Sequence, residues 1–144
     1  MADDELKAKL KEVIDMAFFS QLLGMDHGEE REFSSSAVYG VIEAGENTVE
    51  DMVDALSKRD LPRLASLGDF LKECSSSMGL YKVLESCDKI LEESAIRSKG
   101  DYASESDGRE DICLSRIEDE ISILKDSLCF ARRAFDSFYK SNVA

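Results

Sequence analysis

Apolar residues recur every three or four positions along most of this chain, the period of a helix with one buried face. Asp3 to Leu10 is charged and helix-prone, which predicts a short leading helix. Val13 to Leu23, with Met16, Phe18, Phe19 and Leu22, is apolar on more than one side and predicts a second short helix within 12–24. An acidic connection follows from Gly24 to Glu30. A long helix is expected from Glu32 to Lys58, with Val38, Val41, Gly45, Thr48, Met52 and Ala55 inward. Asp60 is suited to cap the next helix and Pro62 to sit in its first turn. Its inward stripe is Leu64, Leu67, Leu71, Cys74 and Met78, and Gly79 closes it. Leu80 to Ile96 predicts another helix, facing inward with Leu80, Val83, Leu84, Cys87, Ile90 and Leu91. Residues 98–111 are rich in Gly, Ser, Asp and Glu without apolar period, so a flexible loop is expected. The last helix, Ile112 to Lys140, carries Ile117, Ile121, Leu124, Leu128, Ala131, Phe135 and Phe138 at alternating steps of four and three.

Four long amphipathic helices joined mostly by short connections predict an all-α fold. The arrangement expected is an antiparallel four-helix bundle with one or two short additional N-terminal helices. The 144 residues suit a single domain, 1–144. The formal charge of −13 argues against nucleic acid or an anionic membrane as partner, because either would be repelled. No apolar run is long enough to span a membrane or to serve as a signal peptide, so a cytoplasmic and nuclear location is expected. Cys74, Cys87, Cys113 and Cys129 form no C-x-x-C pair and fall in apolar patterns, which predicts buried thiols. His27 is the single histidine, so an inward Glu-x-x-His di-metal centre cannot be built. No metal, cofactor or enzymatic centre is expected.

One segment carries candidate chemistry: Leu67-Gly68-Asp69-Phe70-Leu71-Lys72-Glu73-Cys74-Ser75-Ser76-Ser77-Met78-Gly79-Leu80. Asp69, Lys72 and Glu73 stand at i, i+3 and i+4 and share one helix face. On pattern alone a plain solvated face, with a weak Lys72 ion pair, is the favoured reading of such a cluster.

The segment resembles the signature of fungal histidine-phosphotransfer proteins, L-G-H-F-L-K-G-S-S-x-x-L-G-L. Leu67, Gly68, Phe70, Leu71, Lys72, Ser75, Gly79 and Leu80 match it. Met25-Asp26, Arg31-Glu32-Phe33-Ser34, the stretch Leu84 to Ile90 and Phe138-Tyr139-Lys140 resemble further elements of that family in order. Three departures fall inside the motif. Asp69 stands where the family has its phosphoacceptor histidine, Glu73 replaces a glycine and Cys74 replaces a serine.

The resemblance implies docking onto response-regulator receiver domains, with the receiver of a hybrid histidine kinase as a further partner. The family's histidine supplies a nucleophilic nitrogen to a phosphoryl group held by the receiver. A carboxylate there is anionic and repels that group. The chain is therefore expected to dock without relaying phosphate, as a monomer, with Lys72 pairing with Asp69 or Glu73. The alternative is a true relay intermediate whose acceptor has been altered. By the same resemblance the docking surface comprises Phe18, Leu22, Leu23, Met25 and Asp26, with Asp69, Lys72, Glu73 and Leu91. His27 is expected to be an exposed loop residue.

Overall fold

A computed structural model describes residues 8–28, 31–99 and 109–141. The described part of α1 is 8–11. Then come α2 (Met16–Gly24), α3 (Glu32–Ser57), α4 (Leu61–Met78), α5 (Tyr81–Lys99) and α6 (Arg109–Ser141). No strand occurs among the described residues.

The helix boundaries follow from local chemistry. A helix leaves its first amide groups without intrahelical partners. Asp15 Oδ1 accepts from the amides of Ala17 at 2.9 Å and Phe18 at 3.4 Å, which starts α2 at Met16. Val13 and Ile14, expected inside this helix, instead form a buried turn leading into it. Asp60 caps α4 through the Arg63 amide at 3.1 Å, with Pro62 in the first turn as expected. Gly79 ends α4 at φ 72°. The Leu80 amide bonds back to the Ser75 carbonyl at 2.9 Å, the signature of a Schellman close. The Gly79 carbonyl in turn accepts from the Asp15 amide at 2.9 Å, tying the start of α2 to the end of α4.

Helices α3 to α6 form a closed ring in which α3 packs on α4 and α6, and α5 packs on α4 and α6. Side-chain pairs fix every neighbour as antiparallel. Across α3 and α6, Ser34 meets Tyr139, Tyr39 meets Asp136 and Glu46 meets Arg132. Across α4 and α5, Lys72 meets Asp88, and Gly68 lies against Ile90 and Leu91. Across α5 and α6, Glu93 meets Arg116 and Lys89 meets Glu120. Arg63 reaches back from α4 to Asp54 on α3. The chain is thus the expected all-α antiparallel bundle, with α1 and α2 added at its start.

The core is built from Val38, Ile42, Val49 and Met52 of α3 with Leu61, Leu64 and Leu71 of α4. Leu80, just ahead of α5, and Val83, Cys87 and Ile90 of α5 join Ile117, Ile121, Leu124, Leu128 and Phe135 of α6. Full burial of each large side chain contributes about 1.5–3 kcal/mol. The expected stripes shift by one position in places. In α4 the buried set is Leu61, Leu64, Gly68, Leu71, Ser75 and Met78, while Leu67 and Cys74 are half-buried on the flank. A 3.6-residue period reaches 68 and 75 more closely than 67 and 74. In α3, Ile42 takes the place expected of Val41, and in α6 Tyr139 is buried beside a half-buried Phe138. Leu84 and Leu91 are likewise half-buried on the flanks of α5.

Of the expected loop at 98–111, residues 98–99 and 109–111 are helical, and 100–108 lie outside the described residues. Residues 3–7 of the expected leading helix, and 29–30 of the acidic connection, also lie outside them.

Candidate functional site

Helix α4 holds the segment singled out in the sequence. Its apolar edge faces the ring, so Asp69, Phe70 and Glu73 are turned to solvent, and all three are exposed. The carboxyl-bearing face sits midway along α4, well away from either helix end, so no cap interaction occupies it. Phe70 keeps 52% of its surface exposed, which is unusual for an aromatic residue in mid-helix.

Lys72 is half-buried, and its Nζ lies 2.9 Å from Asp88 Oδ1 on α5. This corrects the expected pairing with Asp69 or Glu73. Position 72 is turned toward α5, where Asp88 stands at the same level, whereas Glu73 points away. The hydrogen bond to Asp88 holds the Lys72 ammonium above its usual range, with Asp69 a lesser contributor.

Cys74 is half-buried rather than inward. Ser75 takes the inward place, fully buried, and its Oγ makes no hydrogen bond. Cys87 is buried in the core, and burial pushes its thiol up to about 12. Cys113 is also buried, but Cys129 is exposed, against the expectation of four buried thiols.

The second part of the candidate surface lies on α2. Phe19 fills the core, with its ring 5.6 Å from Phe135 and 5.4 Å from Phe138. Leu22 is also buried at 6% exposure, so it supports the surface from beneath and does not line it. Phe18 and Leu23 are half-buried against the core, and Met25 is 56% exposed. Leu91 is half-buried and packs beside Gly68, at the α4–α5 seam near Asp69. His27 is exposed, as expected.

Asp26 is held in place rather than standing free at a rim. Its Oδ1 accepts from the Ser34 amide at 2.8 Å, and its Oδ2 accepts from the Ser34 hydroxyl at 2.7 Å. Ser34 lies in the first turn of α3, whose preceding residue, Arg31, offers no side-chain cap. Asp26 thus serves an orphan amide that the local sequence leaves unserved. Ser34 Oγ also accepts from the Tyr139 hydroxyl at 2.8 Å. Burial, with a smaller contribution from the charge of Asp26, pushes the Tyr139 phenol up.

Several residues were not picked out by spacing. Phe33 is 51% exposed at the start of α3, and Phe70 is exposed beside Asp69. A signal existed for Phe70: it falls on the polar face of the α4 period, where a large aromatic residue is out of place. Asp88 and Ser34 gave no such signal, because each acts through a partner distant in the chain. Among the described residues, no group of three or more His, Cys, Asp or Glu side chains stands close enough to hold a metal ion. No described helix is long and apolar enough to cross a membrane.

Asp69 and Glu73, with Lys72 half-buried beside them, form a polar face on α4 next to the exposed Phe70. Multistep phosphorelay regulator 1 of Schizosaccharomyces pombe is 37% identical over 140 residues, covering 97% of this chain and 46% of that protein. The likeness is to a protein named for a multistep phosphorelay. Phosphorelay intermediate protein YPD1 of Candida albicans is 36% identical over 92 residues, covering 62% of this chain and 49% of that protein. The chain spans about half the length of the curated relatives it matches. No family model matches it.

Proposed function

We propose that this chain is a phosphorelay protein of the histidine-phosphotransfer type that docks response-regulator receiver domains and passes no phosphate. The observation that carries this reading is Asp69, exposed on α4 at the place of the family's acceptor histidine. Histidine-phosphotransfer chemistry needs a neutral ring nitrogen that can enter a phosphoryl site. A carboxylate brings negative charge to a group that is already anionic, and Glu73 adds another one turn along. Lys72, the cation that could offset such charge, is engaged by Asp88.

Binding does not need the nucleophile. Apolar side chains with a polar rim are the usual anchors of a protein interface. Met25, Phe33 and Phe70 are exposed, and Phe18 and Leu23 on α2 are half-exposed. In this reading α2 is the docking helix and Asp69 marks the inert centre. The single domain acts as a monomer, competing for receivers with a protein that does carry the histidine.

The test is transfer from a receiver domain carrying labelled phosphate. No label is expected on this chain, while the unphosphorylated receiver binds it. The double substitution Asp69→His with Glu73→Gly is expected to restore labelling, and Asp69→His alone to restore less. Label on the unaltered chain refutes the inert centre. Absence of binding to any receiver refutes the docking.

A further inference from the structure

We propose that Asp26, Ser34 and Tyr139 form a positioning relay that sets the docking helix α2 on the bundle, with Asp26 its central residue. The inference rests on the docking reading for its consequence, though its structural part stands alone.

The connection between α2 and α3 is held at both ends by one residue. The Asp26 amide bonds back to the Leu23 carbonyl at 3.1 Å, closing the last turn of α2. Both Asp26 carboxylate oxygens bond to Ser34, closing the first turn of α3. The direction of α2 relative to α3 therefore passes through the Asp26 side chain. Phe19 and Leu22 seat α2 on the core, and the Asp15 amide bonds to the Gly79 carbonyl at its opposite end; toward α3, where α2 makes little contact, Asp26 is the polar tie that sets its direction.

The relay extends into the bundle. Ser34 is fully buried and Tyr139 nearly so. Tyr139 donates to Ser34 Oγ, which leaves the serine proton free to point at Asp26. The Arg31 carbonyl, 3.4 Å from Ser34 Oγ, is a longer alternative acceptor. Tyr139 is fixed by ring contacts at 5.0 Å to Phe138 and 5.9 Å to Tyr39. The end of α6, an element remote in sequence, thus dictates how the α2–α3 junction is held. Met25 and Phe33 each immediately precede a member of the relay, so its closure also brings these two exposed side chains to one junction.

Amide hydrogen exchange on the full chain tests the structural part. In Asp26→Ala the Ser34 amide is expected to exchange at least tenfold faster, and the amides of Phe19 to Leu23 faster as well. Those of the central turns of α4, α5 and α6 should be unchanged. Asp26→Asn keeps one acceptor and is expected to recover part of the protection. Tyr139→Phe should show a smaller effect at the same amides. Unchanged protection at both Ser34 and α2 in Asp26→Ala overturns the proposal, as does acceleration spread evenly over all helices.

Binding of an isolated receiver domain tests the consequence. Asp26→Ala is expected to weaken it about tenfold or more, and Asp26→Ala with Met25→Ala to be no weaker than Asp26→Ala alone. Fully additive losses overturn the positioning role. If the unaltered chain binds no receiver, the docking reading fails, and the exchange result alone decides the relay.

Discussion

At the residue scale, depth in the bundle separates side chains that share a chemistry. Cys129 is exposed while Cys87 lies in the core with its thiol pushed up to about 12. A thiolate is the reactive form, so accessibility and ionisation act in the same direction. Titration of the native protein with an aromatic disulfide at pH 8 is expected to modify Cys129 rapidly and Cys74 more slowly. Cys87 should react only after unfolding. The raised pKa also has a sign for stability. An unfolded cysteine titrates near 8.5. The neutral thiol's contribution is therefore fully present below about pH 8.5 and is lost as pH rises toward 12. Tyr39, Tyr81 and Tyr139 are raised as well, so they act in the same sense at higher pH. Urea unfolding is expected to show stability falling between pH 8.5 and 10.5, with a shallower fall in Cys87→Ala. An equal slope in that variant contradicts the assignment.

At the element scale, the termini of α4 illustrate how much can be set by a single residue. Gly79 is left-handed at φ 72°, and a Cβ there would stand 2.9 Å from the Asp15 Cβ. Gly40 lies in the exposed face of α3, where a Cβ would meet nothing within 4 Å. Gly79→Ala is expected to cost about 1–3 kcal/mol from left-handed strain and the displaced Asp15. Gly40→Ala should gain about 0.5–1 kcal/mol from helix propensity. Denaturant unfolding of the two variants checks both, and effects of the same sign would contradict the account. The cap at Asp60 and the stop at Gly79 were legible in the sequence because each acts within a few residues of itself. Helix existence was legible for a related reason, since a long apolar stripe at period 3.6 has few alternatives. The exact stripe was less so. Leu67 and Cys74 looked inward because they are apolar, yet Gly68 and Ser75 occupy those slots, and small residues carry no hydrophobic signal. The candidate site divides the same way. Asp69 was legible from its motif, and its exposure follows from the period. The engagement of Lys72 by Asp88 and of Asp26 by Ser34 was not, because neither choice of partner is determined by spacing along one helix.

At the scale of the whole molecule, 31 acidic and 18 basic residues leave a net charge of −13 on a domain of 144 residues. The ring of helices brings these charges closer than they are in the unfolded chain, so self-repulsion opposes folding. Several ion pairs oppose it locally, among them Lys58–Asp54, Arg63–Asp54, Lys72–Asp88 and Lys89–Glu85. Each is solvent-exposed enough for salt to weaken it, and such pairs contribute little. Salt therefore acts on two terms of opposite sign. The repulsive term is the larger, because every unpaired acid contributes to it at separations comparable with the screening length of about 8–10 Å. The melting temperature at pH 7 is expected to rise by a few degrees, an order-of-magnitude figure, between 10 and 300 mM sodium chloride. Calorimetry is the check, with chloride kept as the anion to limit specific effects. A falling melting temperature would mean that the surface pairs outweigh the net charge. It would then be the alternation of charge along the helices, and not its excess, that governs how this acidic bundle holds together.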